Sequence, residues 1–306
     1  MSLEAYLAEI SHADRPLAIS KLANLSELSP EELASFVSAW ADIDIERRRQ
    51  VMSHLADLAE ENPTLNFDGI FMACLHDPDE IVRLKAIDGL WECESRSLID
   101  ALVTMLKEDD EETVRAAAAT ALGRFAMRAE LGKSRPEDRV KVENALLATI
   151  ESTREPIEVT RRAVEAIAPL NVSKVKQIIE QAYGSQDFKM RVSAIYAMGR
   201  NCDPAWLPTL LRELGNADAE MRYEAAAACG ELAEEDAVPH LGELINDIDS
   251  EVRLSAIVAL GKIGGSEAEG ILHVCLEHSD ELIREAAGAA LEELSFEKDP
   301  MSFRIE

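Results

Sequence analysis

The sequence has 306 residues, of which 47% are hydrophobic and only 5% are aromatic. Lys and Arg number 31 against 59 Asp and Glu, so the formal net charge at pH 7 is −28. A surface this acidic excludes nucleic acids and anionic membranes as partners of the whole chain, because both repel negative charge.

The chain begins with two short amphipathic segments, which predict helices over residues 3–10 and 15–25. A third helix is predicted to begin at Ser29, because Ser29, Pro30 and Glu32 form a capping-box pattern with proline at the first helical position. The two segments before Ser29 are therefore expected to form an N-terminal cap on the helical structure that begins at Ser29.

One sequence frame recurs through the rest of the chain and is clearest around Arg253. An acid precedes the Arg by four residues, Val stands directly before it, Ala follows at +3, and Ala-Leu-Gly follows at +6 to +8. The anchors from Thr160 to Arg284 lie 31 residues apart each time, which predicts a stack of helical repeats. The frame returns at Arg83, Arg115, Arg191, Arg222 and Arg284, with weaker copies at Arg48 and Thr160.

Within each frame, the apolar positions −1, +3, +6 and +7 follow the period of an α-helix and predict a buried stripe. Glycine at +8 costs about 1 kcal/mol in a helix interior relative to alanine. We therefore expect neighbouring helices to approach closely at these glycines, which are Gly123, Gly199, Gly230 and Gly261.

This frame and its period resemble HEAT-like repeats, and the 31-residue unit is similar to that of the subtype named for the phycobilisome (PBS) lyases. The resemblance extends over about residues 30–295. It implies an all-α fold, namely a right-handed α-solenoid (α/α superhelix) of about eight HEAT-like helical pairs. The expected domains are N-terminal capping helices (1–28), the repeat solenoid (29–295) and a C-terminal tail (296–306).

The interval from Arg115 to Thr160 is 45 residues, 14 longer than the standard unit. The excess near residues 127–136 contains Gly132 and Pro136, which predicts a loop. Such a loop is either a tolerated insertion or an extra contact for a partner. The contact residues would be Arg128, Lys133 and Arg135.

The anchor Arg lies one turn into its helix, where its side chain can reach an acid of the neighbouring unit. We therefore expect a structural Asp–Arg ladder between repeats, interrupted at Thr160, which has no guanidinium. The expected members are Asp77, Arg83, Asp109, Arg115, Arg191, Arg222, Asp247, Arg253 and Arg284.

The sequence shows little evidence of a catalytic site. The resemblance includes deoxyhypusine hydroxylase, which uses His-Glu pairs as iron ligands, but none of the six His here is followed by Glu. A HEAT-like DNA glycosylase needs a basic groove, in conflict with the net charge. No nucleophile–base pair, GxGxxG or Walker sequence is present. We therefore expect no catalytic residues, no metal and no cofactor.

The predicted function is a non-catalytic scaffold or adaptor that binds an unidentified protein partner along its concave face. If second helices line that face, as in the family, positions +2, +5 and +9 project into it. The expected partner-binding residues are Lys85, Arg124, Tyr196, Arg200, Glu231 and Lys262.

One alternative stays open, namely a phycobilisome-lyase-like or chaperone-like helper that holds a cofactor-bearing client. Trp91, Tyr196 and Tyr223 are the aromatic residues that such a site would use. Five cysteines without a CxxC pair predict free thiols. The absence of a signal sequence or a long apolar run leads us to expect a cytoplasmic monomer.

Overall fold

A computed structural model of the protein describes residues 3–11 and 16–298. These residues form α-helices joined by short loops and 3-10 turns, and they contain no strand. The chain divides into two compact units, Met1–Ala163 and Val164–Glu306, with the boundary inside a helix. The predicted all-α fold is confirmed.

The first unit holds the N-terminal helices and the first repeats. Its helices are α1 (Leu3–Ile10), α2 (Ile19–Leu22), α3 (Pro30–Trp40), α4 (Ile45–Glu61), α5 (Asp68–Cys74), α6 (Glu80–Gly89), α7 (Arg96–Glu108), α8 (Glu112–Glu130), α9 (Pro136–Glu151) and most of α10 (Ile157–Ile167). Ser29 and Glu32 form the predicted capping box at the start of α3.

The second unit continues with the end of α10 and four further helical pairs. Its helices are α11 (Ser173–Tyr183), α12 (Phe188–Asn201), α13 (Leu207–Glu213), α14 (Ala219–Leu232), α15 (Val238–Leu244), α16 (Ser250–Ile263), α17 (Gly265–Cys275) and α18 (Glu281–Lys298). From α3 to α18 the helices form eight consecutive pairs, in agreement with the predicted number, and every anchor lies in the second helix of its pair.

Polar side chains before most of the second helices fix the point at which they begin. The Asp249 carboxylate accepts the backbone N–H groups of Glu251 and Val252, at 2.9 and 3.2 Å. Two residues earlier, Asp247 accepts the N–H of Asp249 at 2.9 Å. Free N–H groups of the first turn are thus satisfied by side chains, which stabilises a helix by about 1 kcal/mol per cap.

The predicted apolar stripe is the core of the stack. In α16 the residues at −1, +3, +6 and +7 are Val252, Ala256, Ala259 and Leu260, and all four are buried. Because two of these four are alanines, neighbouring second helices can pack closely.

Glycines at +8 lie where successive second helices meet. A Cβ atom added to Gly230 of α14 would lie 2.8 Å from the Cα of Ala259 in α16, and one on Gly199 would lie 2.7 Å from the Cα of Ala228. Both distances are shorter than non-bonded carbon atoms allow. The close approach predicted from the sequence is therefore confirmed at these positions.

The predicted insertion loop at 127–136 is wrong in extent. Helix α8 continues to Glu130, and the loop covers only residues 131–135 before α9 begins at Pro136. The helix is long because Phe125, Ala126 and Ala129 continue its buried stripe for another turn. The extra length thus belongs mostly to α8 and α9.

The predicted tail at 296–306 also begins too early, since α18 continues to Lys298. Its last turns are held by the burial of Leu294, whose Cδ2 lies 3.0 Å from the position of a Cβ on Gly264. Residues 299–306 lie outside the described part of the chain. No described helix is long and apolar enough to cross a membrane.

Candidate functional site

A groove of about 880 Å³ opens on the second helices of the first unit. Its floor is the outer face of α8, which carries only small side chains there: Thr113, Ala116, Ala117, Thr120 and Ala121. The surface of α8 is therefore flat and accessible along several turns.

Trp91 forms one wall of the groove, next to Ile87. Its side chain follows the end of α6 and is 55% exposed. The other two tryptophans are buried, and each donates its indole N–H: Trp40 to Asp77 at 2.8 Å and Trp206 to Asn201 at 3.0 Å. Trp91 is thus the one tryptophan that a partner can reach, and large exposed aromatic residues mark binding surfaces.

Arg124 forms the end of the groove, as the partner-binding hypothesis requires. Its guanidinium donates to the backbone carbonyl of Trp91. Its Nε atom is buried and has no hydrogen-bond partner among the described residues. Burial lowers the pKa of Arg124, but an arginine remains charged at neutral pH. A positive group is therefore held next to an apolar wall.

Acidic side chains also line the groove, namely Glu60 of α4, Asp88 of α6 and Glu158 of α10. Burial raises the pKa of Glu158, but hydrogen bonds and charge from Arg161 and Arg162 outweigh it and lower the pKa overall. Lys85 donates to Asp88 at 3.2 Å and does not itself line the groove. The groove lining therefore contains both signs of charge.

The other predicted binding residues lie in the second unit, across three successive second helices. Arg200 of α12 contacts Glu231 of α14 at 3.4 Å, and Lys262 of α16 contacts the same carboxylate at 2.5 Å. Because the two cations share one carboxylate, these residues connect neighbouring repeats. Tyr196 lies one turn before Arg200 and is 41% exposed.

A second feature of this region was not among the expected site residues. The half-buried Glu224 of α14 has its pKa raised to about 7 by burial and by the charges of Glu165 and Glu220. Glu165 in turn accepts a hydrogen bond from Ser193 at 2.5 Å. The repeat frame contained the signal, since Glu165 and Glu224 occupy outward positions (+5 and +2) of the repeats on either side of the Arg191 repeat.

The three residues expected to form a contact in the insertion lie in three successive elements. Arg128 lies on α8 and pairs with Glu94. Lys133 is in the short loop, where its backbone N–H donates to the carbonyl of Arg128, and Arg135 is the N-cap residue of α9. They do not lie on a single loop, because residues 127–130 belong to α8, and their contact with a partner stays a prediction.

The anchor Arg residues from Arg83 to Arg284 also hydrogen-bond to loop carbonyls of their own repeats, a contact that sequence reasoning missed. The Arg83 guanidinium donates to the carbonyls of Asp77 and Pro78 at 2.8 and 3.1 Å, and to Asp109 of the next unit at 2.8 Å. The one sequence signal for this contact is the constant six-residue spacing between the anchor Arg and the residue whose carbonyl accepts its hydrogen bond.

The predicted Asp–Arg ladder forms between some neighbouring repeats and is interrupted between others. Arg191 hydrogen-bonds only to loop carbonyls of its own repeat, because the next repeat has Asn216 at the position where the repeats of Arg83, Arg115 and Arg253 have Asp. The Thr160 hydroxyl donates to Pro156, and Arg284 donates to His278 and Ser279 of its own loop. Carboxylate pairs to the next unit are Arg48–Asp77, Arg83–Asp109, Arg115–Glu155, Arg222–Asp247 and Arg253–Asp280.

Within residues 3–11 and 16–298, no group of three or more His, Cys, Asp or Glu side chains is arranged to hold a metal ion. All five cysteines are free thiols, and four of them are buried.

The sequence profile of HEAT repeats matches residues 70–140 and 207–292, which is more than half of the chain. Curated protein sequences give no match. Among solved structures, the complex of CpcE and CpcF of phycocyanin lyase from Nostoc sp. PCC7120 is similar, with a TM-score of 0.56 at 15% identity over 93% of this chain and 97% of that chain.

Two further solved structures are nuclear-import assemblies. The Kap95:Nup1 complex has a TM-score of 0.53 at 14% identity, over 95% of this chain and 46% of that chain. Kap95p bound to RanGDP has a TM-score of 0.51 at 13% identity, over 98% and 47%. At these identities the similarity concerns the fold, an α-solenoid of HEAT repeats, as the sequence frame predicted.

Proposed function

The chain belongs to the HEAT-repeat family, and we propose that it is a non-catalytic scaffold that binds a protein partner in the groove on α8. The observation that carries this proposal is the exposed Trp91 beside an apolar floor, with Arg124 at its end. Trp and Arg are the residues most often found at the energetic centre of protein interfaces.

The shape of the groove favours a helical segment of the partner. Alanines and threonines on α8 allow another backbone to approach closely, as in helix-in-groove recognition. One large apolar side chain of that segment would contact Trp91, and an acidic group would pair with Arg124. The related solved structures, CpcE with CpcF and Kap95 with Nup1, are themselves protein complexes.

A second candidate is a helper that holds a cofactor-bearing client, as in the phycocyanin lyase whose fold is similar. The groove volume lies within the range of about 300–1,000 Å³ that small-molecule sites occupy. Arg124 and Arg162, which line the groove, would pair with carboxylates of such a ligand. A ligand of this kind would absorb visible light in the complex.

The test is a stoichiometric complex that depends on the groove. The tagged protein and the double variant Trp91→Ala, Arg124→Glu are used as baits in lysate of the source organism, and recovered complexes are analysed by size-exclusion chromatography and native mass spectrometry. The control carries Ile248→Ala and Arg154→Glu, which likewise truncate an exposed apolar side chain and reverse the charge of an arginine, at sites that do not line the groove.

We expect the free chain to elute as a monomer and the partner to co-elute with parent and control but not with the groove variant. Circular dichroism and thermal unfolding check that all three proteins are folded. Recovery of the same partner by all three would overturn the groove assignment. A bound chromophore or small molecule that only the groove variant lacks would favour the second candidate.

A further inference from the structure

The outer faces of α12 and α14, together with the end of α10, form a second surface that the groove does not include. We call it the tyrosine–glutamate face, and its residues are Glu165, Tyr196, Glu220, Tyr223 and Glu224. Tyr196 and Tyr223 are 41% and 39% exposed, and Glu220 is exposed. All five belong to the second unit.

These side chains influence one another, which places them in one neighbourhood. Burial and the charges of Glu165, Glu224 and Glu231 raise the pKa of Tyr196, against the opposing charge of Arg200. Glu224 lies within electrostatic range of Glu165 and Glu220. Helix α12 packs against α14, and Ser193 of α12 donates a hydrogen bond to Glu165 at the end of α10. Tyr196 therefore lies near the three carboxylates on neighbouring helices, and Tyr223 directly precedes Glu224 on α14.

Arg200 and Lys262 do not neutralise Glu224 of this face. Arg200 and Lys262 are both paired with Glu231. Glu224 forms no ion pair with any described residue, although it is half-buried next to two other carboxylates. A half-buried carboxylate without a cation is unfavourable in the free protein, and an incoming positive group would relieve that cost.

The surrounding chain has the same sign of charge. Between residues 201 and 300, Asp and Glu number 23 and Lys and Arg only 6. Several of the acids have structural roles as helix caps or as partners of the anchor Arg, but those on the outer face of α14 do not cap that helix. The field at this face therefore attracts positive charge and would speed the approach of a basic partner.

We propose that the tyrosine–glutamate face binds a basic segment of a partner protein, with a Lys or Arg side chain held between Tyr196 and Glu224. The carboxylates supply charge-assisted hydrogen bonds, and the exposed rings of Tyr196 and Tyr223 supply cation–π contact to the same side chains. Val258 of α16, which is 51% exposed, extends the surface for the apolar part of the segment. The proposal does not depend on the groove at Trp91.

The experiment measures binding of a fluorescein-labelled peptide of alternating Lys and Ala residues to the full chain, by fluorescence anisotropy at about 0.15 M salt, where charges more than about 8 Å apart are screened. The test variant is Glu220→Gln with Glu224→Gln. The matched control is Glu243→Gln with Glu277→Gln, which removes the same charge from exposed positions on α15 and beyond α17. Tyr196→Ala and Tyr196→Phe separate the ring from the hydroxyl.

We expect the Glu220/Glu224 variant to bind the peptide about tenfold more weakly than the parent, and the control to stay within about twofold. Tyr196→Ala should also weaken binding, and Tyr196→Phe should not, because the ring is retained. Equal weakening by both charge variants would mean general attraction to an acidic protein and would overturn the proposal. So would no detectable binding by the parent.

The two proposals fail separately. Trp91→Ala with Arg124→Glu should leave peptide binding unchanged, because the groove lies in the first unit. Loss of peptide binding in that variant, with the protein still folded, would also contradict the proposed face. Because Glu→Gln substitutions remove charge from a crowded site, the test variant is expected to remain folded.

Discussion

Arg222 and Asp247 form a two-pronged ion pair between α14 and the loop before α16, with Nε–Oδ2 and Nη2–Oδ1 distances of 2.7 Å. The remaining amino group of Arg222 donates to the carbonyls of Asn216 and Ala217 in its own repeat. One guanidinium therefore hydrogen-bonds both to the loop before its own helix and to the loop of the next repeat.

Removal of Asp247 should destabilise the second unit strongly. Both side chains are at most 10% exposed, so Asp247→Ala leaves Arg222 as an uncompensated buried charge, at a cost of about 3–5 kcal/mol. The comparison is Asp88→Ala, whose pair with Lys85 is 57% and 39% exposed and contributes about 0–1 kcal/mol. Urea unfolding of both variants measures the loss in free energy of unfolding. Similar losses would show that the Arg222–Asp247 pair contributes no more than an exposed ion pair.

Acid should weaken the same pair. The hydrogen bonds from Arg222 hold the pKa of Asp247 below its ordinary value. A depressed pKa contributes stability that is present above the ordinary Asp value of about 3.9 and is lost as pH falls below it. The melting temperature of the parent should therefore decline below about pH 4, and Asp247→Asn should start lower and decline less. Parallel curves would contradict this assignment.

Glu224 should have the opposite effect on stability. Its pKa is raised to about 7, mainly by burial. Protonated Glu224 is favoured in the folded state, so its contribution is present below the ordinary Glu value of about 4.3 and is lost as pH rises toward 7. Glu224→Gln should therefore be more stable than the parent at about pH 8 and similar at about pH 4. Glu243→Gln, an exposed change, should show no such difference in urea unfolding.

Two glycines should respond to alanine in opposite directions. A Cβ on Gly230 would lie 2.8 Å from the Cα of Ala259, so Gly230→Ala must push α14 and α16 apart and should cost about 1–3 kcal/mol. Gly270 of α17 has no atom within 4 Å of such a Cβ. Gly270→Ala should stabilise the protein by about 0.5–1 kcal/mol through helix propensity. The denaturant midpoints of both variants measure these changes in stability. A stabilising effect of Gly230→Ala would contradict the close approach of α14 and α16.

The architecture was predictable because it depends on local patterns that repeat. The spacing of Val252, Ala256, Ala259 and Leu260 indicates a buried helical stripe without knowledge of the neighbours. Capping residues such as Ser29 and Asp249 act within a few positions of themselves. A repeat also multiplies each weak signal, so the number of helical pairs followed from counting.

The candidate site was predicted only in part. Position +9 placed Arg124 among the expected contacts, and Arg124 lines the groove, but Trp91 stood outside that row because it follows the end of α6. Partner binding by these residues stays a prediction. Arg200, Glu231 and Lys262 were expected as partner contacts and instead pair with one another. A sequence position shows which way a side chain points, and not whether a neighbour already satisfies it.

The sequence by itself determined the helices, their order and the face that each one buries, because these depend on residues within about one turn of each other. Only the tertiary structure decided which charges meet across 25 to 40 positions, as in Arg222–Asp247 and Arg115–Glu155. It also decided that the extra residues near 127–136 lengthen α8, because the burial of Phe125 and Ala129 continues the helix almost to Gly132, whose φ of 70° ends it. Such outcomes depend on how close two helices come, and no single repeat contains that information.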